Sequence, residues 1–295
     1  MQATGSLGSV VLKELIKSGL FDITVLTRQS SNHTFLPNVK VLKVDYNSID
    51  SLATALAGQD ALVSTVASTA VASQKILIDA AVRSGVKRII PSEFGCDLHN
   101  PKTRLLPVYA AKVEIEEYLT SLAEKGLTSY TLVYTGPLLD FGLRNGMFFN
   151  FQKRTAELYD GGEVLISTSR LSTAGKAVRR ILTHPRETAD RAVWVKDIDI
   201  TQKQVLNLAQ ALTPGEKWEV KEVDTESLEK ASLEAIQKKE IGPSTMLGLI
   251  RRALFGKGYN GHYERVHNQV LGIKEMSVPD LEELLASIFG TGKLQ

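Results

Sequence analysis

Between residues 7 and 137 short β-branched runs alternate with segments of helical period, and most of those helical segments stop at a glycine. Residues 7–18 set Leu7, Val10, Val11, Leu15 and Ile16 between polar Lys13, Glu14 and Lys17, and Gly19 closes them. Residues 23–26 and the alternating stretch 39–44 read as strands. Asn47 or Ser48 caps a helix over 49–56 that Gly58 ends. There follow an apolar run at 61–66, a helix at about 71–83 stopped by Gly85, and a strand at 88–90 broken by Pro91. Pro107 can open a helix running to about Gly126, and 130–134 is the next strand. Strands separated by helices run parallel, because each helix carries the chain back along the sheet. The expected class is therefore α/β, a doubly wound parallel sheet with helices on both faces.

After Gly136-Pro137 the rhythm loosens. Residues 154–159 and 163–167 read as short strands around Asp160-Gly161-Gly162, a hairpin-type turn. Ala174, Ala177, Val178, Ile181 and Leu182 make a helical stripe, followed by a strand at 192–195, a helix at 202–212, a strand at 218–223 and mostly helix to the end. The expectation is a dinucleotide-type domain over 1–137 and a smaller mixed α/β substrate region over 138–295 that interleaves with it, without a flexible linker. The 295 residues suit two such units. With 35 basic and 33 acidic side chains, the charge of +2 provides no field for gripping nucleic acid or an anionic membrane. No apolar run reaches a membrane span and the start lacks a signal-peptide pattern. The single cysteine, Cys96, can form neither an internal disulfide nor a metal cluster and reads as a small buried residue. A cytoplasmic protein that holds no metal is expected.

Thr4-Gly5-Ser6-Leu7-Gly8 opens the first helix, as a pyrophosphate site requires: the backbone can approach the ligand and free N–H groups and the helix dipole meet its charge. In such folds the ribose-reading residue lies about 20 positions further on, acidic for NAD and basic for NADP. At that distance from Gly8 stands Arg28, followed by Gln29, Ser30 and Ser31, which suits a 2′-phosphate and so NADP(H). Lys112 interrupts the helix after Pro107, at the edge of a stripe through Val108, Ala111, Ile115, Leu119 and Leu122. It must snorkel to water or reach a cleft, and there a partly buried ammonium is a candidate proton donor. Tyr109, three residues earlier, reads as a relay or ring-packing partner or, more simply, as core or rim packing.

Pro91-Ser92-Glu93-Phe94-Gly95 after a strand, Lys112 within Tyr-Ala-Ala-Lys-Val, the opening Ala3-Thr4-Gly5-Ser6-Leu7-Gly8, and Leu171-Ser172-Thr173-Ala174-Gly175-Lys176-Ala177-Val178 together resemble one family. This is the isoflavone reductase-like branch of the NmrA-type atypical short-chain dehydrogenases, and the resemblance covers nearly the whole chain. It implies an NADPH-binding Rossmann-like domain, a smaller substrate domain and a lysine acting as general acid/base. Gly5, Ser6, Leu7 and Gly8 would cradle the pyrophosphate, Arg28 the 2′-phosphate, and Ser92, Glu93 and Phe94 would form the loop under the nicotinamide. Lys112 would hold the nicotinamide ribose and relay a proton. The Tyr-x-x-x-Lys pair of ordinary short-chain dehydrogenases is absent, since position 108 is valine. Leu138, Phe141, Met147, Phe148 and Phe149 would line an aromatic-accepting pocket or form interdomain core, and His262 would touch substrate or occupy a surface loop.

The family's glycine turn ends a first, central strand. Here Gln2 stands at the first glycine position with only Met1 before it, so that strand is expected to be missing from this chain. The leading expectation is an NADPH-dependent reductase of a conjugated aromatic or polyketide-like small molecule in secondary metabolism. One alternative is a non-catalytic NADP(H) sensor reporting to a protein partner; the other is a degenerate product. Retention of Lys112 favours the enzyme.

Overall fold

The computed structural model describes residues 3–36, 39–259 and 261–289. In chain order the first part comprises α1 (Ser6–Ser18), β1 (Thr24–Arg28), β2 (Lys40–Val44), α2 (Ile49–Leu56), β3 (Ala61–Val63), α3 (Gln74–Arg83), β4 (Arg88–Ile90), α4 (Pro101–Arg104), α5 (Ala110–Glu124) and β5 (Ser129–Tyr134). The remainder comprises α6 (Leu139–Arg144), β6 (Thr155–Tyr159), β7 (Ile166–Thr168), α7 (Leu171–Thr183), β8 (Arg191–Trp194), β9 (Ile198–Ile200), α8 (Gln202–Ala211), β10 (Glu219–Val223), α9 (Thr225–Gln237), α10 (Pro243–Phe255), α11 (Asn268–Leu271) and α12 (Val278–Phe289).

The local signals act where they stand. Ser48 caps α2 by accepting from the Ser51 amide at 3.2 Å. Gly19 ends α1 in the left-handed region at φ +64, a conformation that costs an L side chain steric strain. Pro107 opens a 3-10 turn, Pro107–Tyr109, and the α-helix proper begins at Ala110. A similar turn, Ser68–Ala70, precedes α3, so the helix expected from about 71 starts at Gln74.

β3, β4, β5 and β8 form a parallel sheet in that order, with Leu62 opposite Ile89 and Leu132 opposite Ala192. Consecutive strand residues face opposite layers. Ile89 and Leu132 pack with Leu52 of α2, Ile78 of α3 and Leu119 of α5. Ile90 and Val133 pack instead with Val11 of α1 and Val178 of α7. The doubly wound arrangement follows from that alternation. β1 and β2 form a separate parallel pair, Val25 opposite Val41. Among the described residues no pairing joins β1 to β3, and a cleft of about 350 Å³ lined by Leu26 and Leu62 lies between them. The expected loss of a first strand concerns the chain at and before Gln2, outside the described residues.

The expected hairpin at Asp160-Gly161-Gly162 is not formed. β6 pairs in parallel with β10, Thr155 opposite Glu219, whereas β7 pairs antiparallel with β9, Ile166 opposite Ile200. The turn residues take positive φ (Asp160 +49, Gly161 +82), but the Asp160 carboxylate accepts from the Thr225 amide at 2.8 Å and its hydroxyl at 2.7 Å. The turn thus anchors the start of α9 and sends the two strands to different sheets. Turn chemistry specifies local backbone and leaves the strand's partner open.

A second core gathers Phe148, Phe149, Tyr159, Trp218 and Phe255. The chain also crosses back after residue 138: α7 packs on α1, and β8 extends the main sheet. Among the described residues no helix is long and apolar enough to cross a membrane, and no cluster of His, Cys, Asp and Glu could hold a metal ion.

Candidate active site

Residues at the carboxyl end of β1 and beyond that of β3 line one cleft, with strand order running from β1 to β2 and from β3 to β4, β5 and β8. In open parallel sheets such a reversal opens a crevice between the loops that leave the strands. A cleft of about 550 Å³ lies there, lined by Thr4 before α1, by Thr27, Arg28, Ser30 and Ser31 at and beyond the end of β1, and by Val66 after β3. α1 begins with Gly5 in an extended conformation at its N-cap and no side-chain cap, so its first amides have no side-chain acceptor. Arg28 is exposed and Gly8 is buried in the helix. His33, Phe35 and Tyr46 also line this cleft, and the sequence carried no motif for them. Burial raises the Tyr46 hydroxyl to about 12, against the opposing effect of Arg28.

These features fit a phosphorylated dinucleotide. Open amides at a helix start face anionic groups, the Arg28 fork and two serines stand where β1 ends, and buried Ser64 Oγ, Thr65 Oγ1 and Gln74 Nε2 beyond β3 lack hydrogen-bond partners among the described residues. Gln74 is a residue that sequence reasoning missed. Its Oε1 accepts the Ser92 amide at 2.8 Å, while Ser92 Oγ donates to the Val66 carbonyl at 2.8 Å. The loop after β4 is thereby tied to the rim of the cleft.

Lys112 reaches that same loop. On α5, Ile115, Leu119 and Leu122 are buried, and Val108 and Ala111 before them are half-buried. Lys112 lies at the stripe's edge with its side chain 15% exposed. Its Nζ donates to the Glu93 carbonyl oxygen and lies 3.3 Å from Glu93 Oε1, whose side chain is 3% exposed. Burial pushes the Glu93 carboxyl above its ordinary value, and Lys112 opposes that rise. Phe94, next in the chain, has φ +34, a conformation that costs a bulky residue about 1–3 kcal/mol. Its buried ring, packed with Val11, Val63 and Ile90, holds it there while Glu93 turns toward α5.

Behind the lysine, the Tyr109 hydroxyl donates to Cys96 Sγ at 3.1 Å, and burial pushes that half-buried thiol up. Tyr263 comes from the C-terminal part of the chain: its hydroxyl donates to the Gly95 carbonyl at 3.0 Å and accepts from the Gly136 amide at 2.7 Å. Tyr263 was another residue without a sequence signal.

The remaining candidates are scattered. Phe148 stands edge-on to Phe255, and Phe149 packs on Trp218 and Phe289, all within the second core. Met147 is half-buried beside that core, Leu138 packs beside Phe94 and α7, and Phe141 is 38% exposed. His262 Nε2 lies 3.4 Å from Asp199 Oδ2, in a network where Ser167 Oγ accepts the Tyr263 amide at 2.8 Å. The structure thus gathers Thr4, Arg28 and Ser92 around the cleft and its rim, and Lys112, Glu93 and Tyr263 around residues 93–95. It does not bring the aromatic candidates into one lining.

The model of the NmrA-like family matches residues 1–242. Oxidoreductase aprR of Aspergillus flavus is 33% identical over 289 residues, covering 97% of this chain and 96% of that protein. Oxidoreductase poxI of Penicillium oxalicum is 28% identical over 292 residues, covering 95% and 90%. Among solved structures, the binary complex of leucoanthocyanidin reductase with NADPH from Vitis vinifera superposes with a TM-score of 0.73 at 17% identity, covering 98% of this chain and 97% of that one.

Proposed function

The chain belongs to the NmrA-like family, and from that premise we propose that it is an NADPH-dependent reductase of a conjugated aromatic or polyketide-like small molecule. The observation that carries the reading is Lys112, whose ammonium is held over residues 93–95 at the carboxyl end of β4, next to the loop tied to the dinucleotide-shaped cleft. Relatives named oxidoreductases over nearly the full chain, and a fold neighbour solved with NADPH, support it.

Each residue then has a task. The amides of Gly5, Ser6, Leu7 and Gly8 hold the pyrophosphate, and Arg28 with Ser30 and Ser31 takes the 2′-phosphate. Ser92, Glu93 and Phe94 form the floor under the nicotinamide. When bound, the reduced cofactor supplies a hydride. Lys112 binds the ribose and gives a proton to the oxygen on which negative charge develops as the substrate carbon is reduced. The substrate side is assigned to the chain after β5, with Leu138, Phe141 and Met147 as its accessible apolar members and His262 as a further candidate, while Phe148 and Phe149 belong to the second core.

Loss of dihydronicotinamide absorbance against a panel of aromatic enones and quinones tests the reading. Wild type is expected to consume NADPH with at least one of them, and Lys112→Ala to stop that consumption while still binding NADPH. Consumption that survives Lys112→Ala would remove the lysine from the mechanism. NADPH binding without turnover across the panel would favour a sensor that reports to a protein partner.

A further inference from the structure

Lys112 contacts Glu93 through two different atoms. Nζ donates to the backbone carbonyl and pairs with the side chain at 3.3 Å. Oε1 of Glu93 is buried and makes no hydrogen bond of good geometry among the described residues. A carboxylate taken out of water in this way depends on a counter-charge. Arg104 of α4 is the other cation near it, but its guanidinium is engaged by Glu116 at 2.7 Å and Glu117 at 2.8 Å. Glu116, also on α5, adds like charge. Asp97 and His99 further along that loop pair with each other at 3.4 Å, and the neutral acids nearby are Cys96 on the same loop, Tyr109 before α5, Tyr134 on β5 and Tyr263. Burial raises all four, so none supplies positive charge.

We propose that Glu93 is the positioning residue of Lys112: its carbonyl aims the ammonium and its carboxylate is the counter-charge that faces it. The proposal rests on the reductase reading. In the reaction, hydride addition to the electrophilic carbon moves an electron pair onto the conjugated oxygen, and Lys112 protonates that oxygen. The amine left behind recovers a proton from solvent, and the facing carboxylate favours that recovery.

Competitive acetylation of the intact protein with acetic anhydride across the alkaline range, with the Lys112 peptide resolved by mass spectrometry, measures the pH at which that amine becomes half reactive. In Glu93→Gln this midpoint is expected to fall by about one pH unit or more. Glu93→Asp, which draws the carboxylate back by one methylene, shifts the midpoint in the same direction by less, and serves if the glutamine variant does not fold. Exposed Lys125 is the internal standard and keeps its midpoint in every variant. A structural role alone opens the site to water, which lifts the penalty that burial places on an ammonium and cannot lower the midpoint, so a Lys112 midpoint unchanged or raised in the folded variants overturns the proposal. The labelling needs neither cofactor nor substrate, and its result stands apart from any failure of NADPH binding.

Discussion

Gly175 of α7 lies against Val10 of α1 so closely that a Cβ on the glycine would stand 3.2 Å from the Val10 carbonyl oxygen. The same Cβ would meet Val10 Cγ1 at 3.2 Å and Glu14 Cγ at 3.1 Å. α7 therefore braces the helix that follows Thr4, a residue lining the cleft proposed for the dinucleotide. Gly175→Ala is expected to push the two helices apart at a cost of about 1–3 kcal/mol, as overpacking of a tight interface does. Thermal melts should show the loss, and NADPH should bind more weakly because the amides at the start of α1 move with the helix. Unchanged stability and affinity would show that the contact has slack.

Arg28 tests the choice of cofactor. Its guanidinium lines the cleft beyond the end of β1 and is exposed, so its removal leaves the core intact. Loss of charge-assisted hydrogen bonds worth about 1.5–3 kcal/mol should weaken NADPH binding in Arg28→Ala by roughly 10- to 150-fold. NADH affinity should change little. Calorimetric titration of both cofactors reads the difference, and equal weakening of the two would move the 2′-phosphate contact elsewhere.

The Glu93–Lys112 pair also makes a stability prediction. Removing one partner of a buried ion pair costs about 3–5 kcal/mol, since the other charge is left uncompensated. Lys112→Met should therefore melt well below wild type near neutral pH, and adding Glu93→Gln should restore most of the loss. Two substitutions that simply add would argue against the pair.

The pH dependence follows from the direction of the Glu93 shift. Burial raises its native carboxyl above the ordinary 4.5, so the neutral acid is favoured on folding. That contribution is complete below the unfolded value and is lost as pH rises through the native one. Wild type should lose stability relative to Glu93→Gln as pH increases through that window, with a constant difference beyond it. Melting curves of the two proteins that stay parallel from pH 4 upward would contradict the assignment.

Tyr263 ties the C-terminal loop to the floor of the site. Its hydroxyl is buried and bridges Gly95 and Gly136. Tyr263→Phe should cost about 1–3 kcal/mol, because two backbone polar groups lose a partner. The Gly136 amide keeps its 3.0 Å bond to the Gly95 carbonyl, which places the expected loss at the lower end.

Much of this frame was legible from residue order. The Ser48 cap and the stops at Gly19 and Gly85 act through bonds within a few residues of their own position, and β3, β4 and β5 were marked by their β-branched runs. Lys112 was legible because a charge at the edge of an apolar helical stripe must have a destination. What escaped is non-local. Asp160-Gly161-Gly162 has turn composition, yet Thr225, far along the chain, decides where it goes. Phe148 and Phe149 look alike as pocket lining and as core, and the difference is made by Phe255, Trp218 and Phe289. Gln74 and Tyr263 reach the site through single hydrogen bonds whose partners are set by the fold.

The most direct measurement is a paired titration of the full chain with NADPH and NADH, following dihydronicotinamide fluorescence, in wild type and Lys112→Met. NADPH should bind both proteins at least 10-fold more tightly than NADH, given the roughly 1.5 kcal/mol or more that charge-assisted bonds to a 2′-phosphate contribute. Equal affinity for the two cofactors, or no binding of either, would contradict the account.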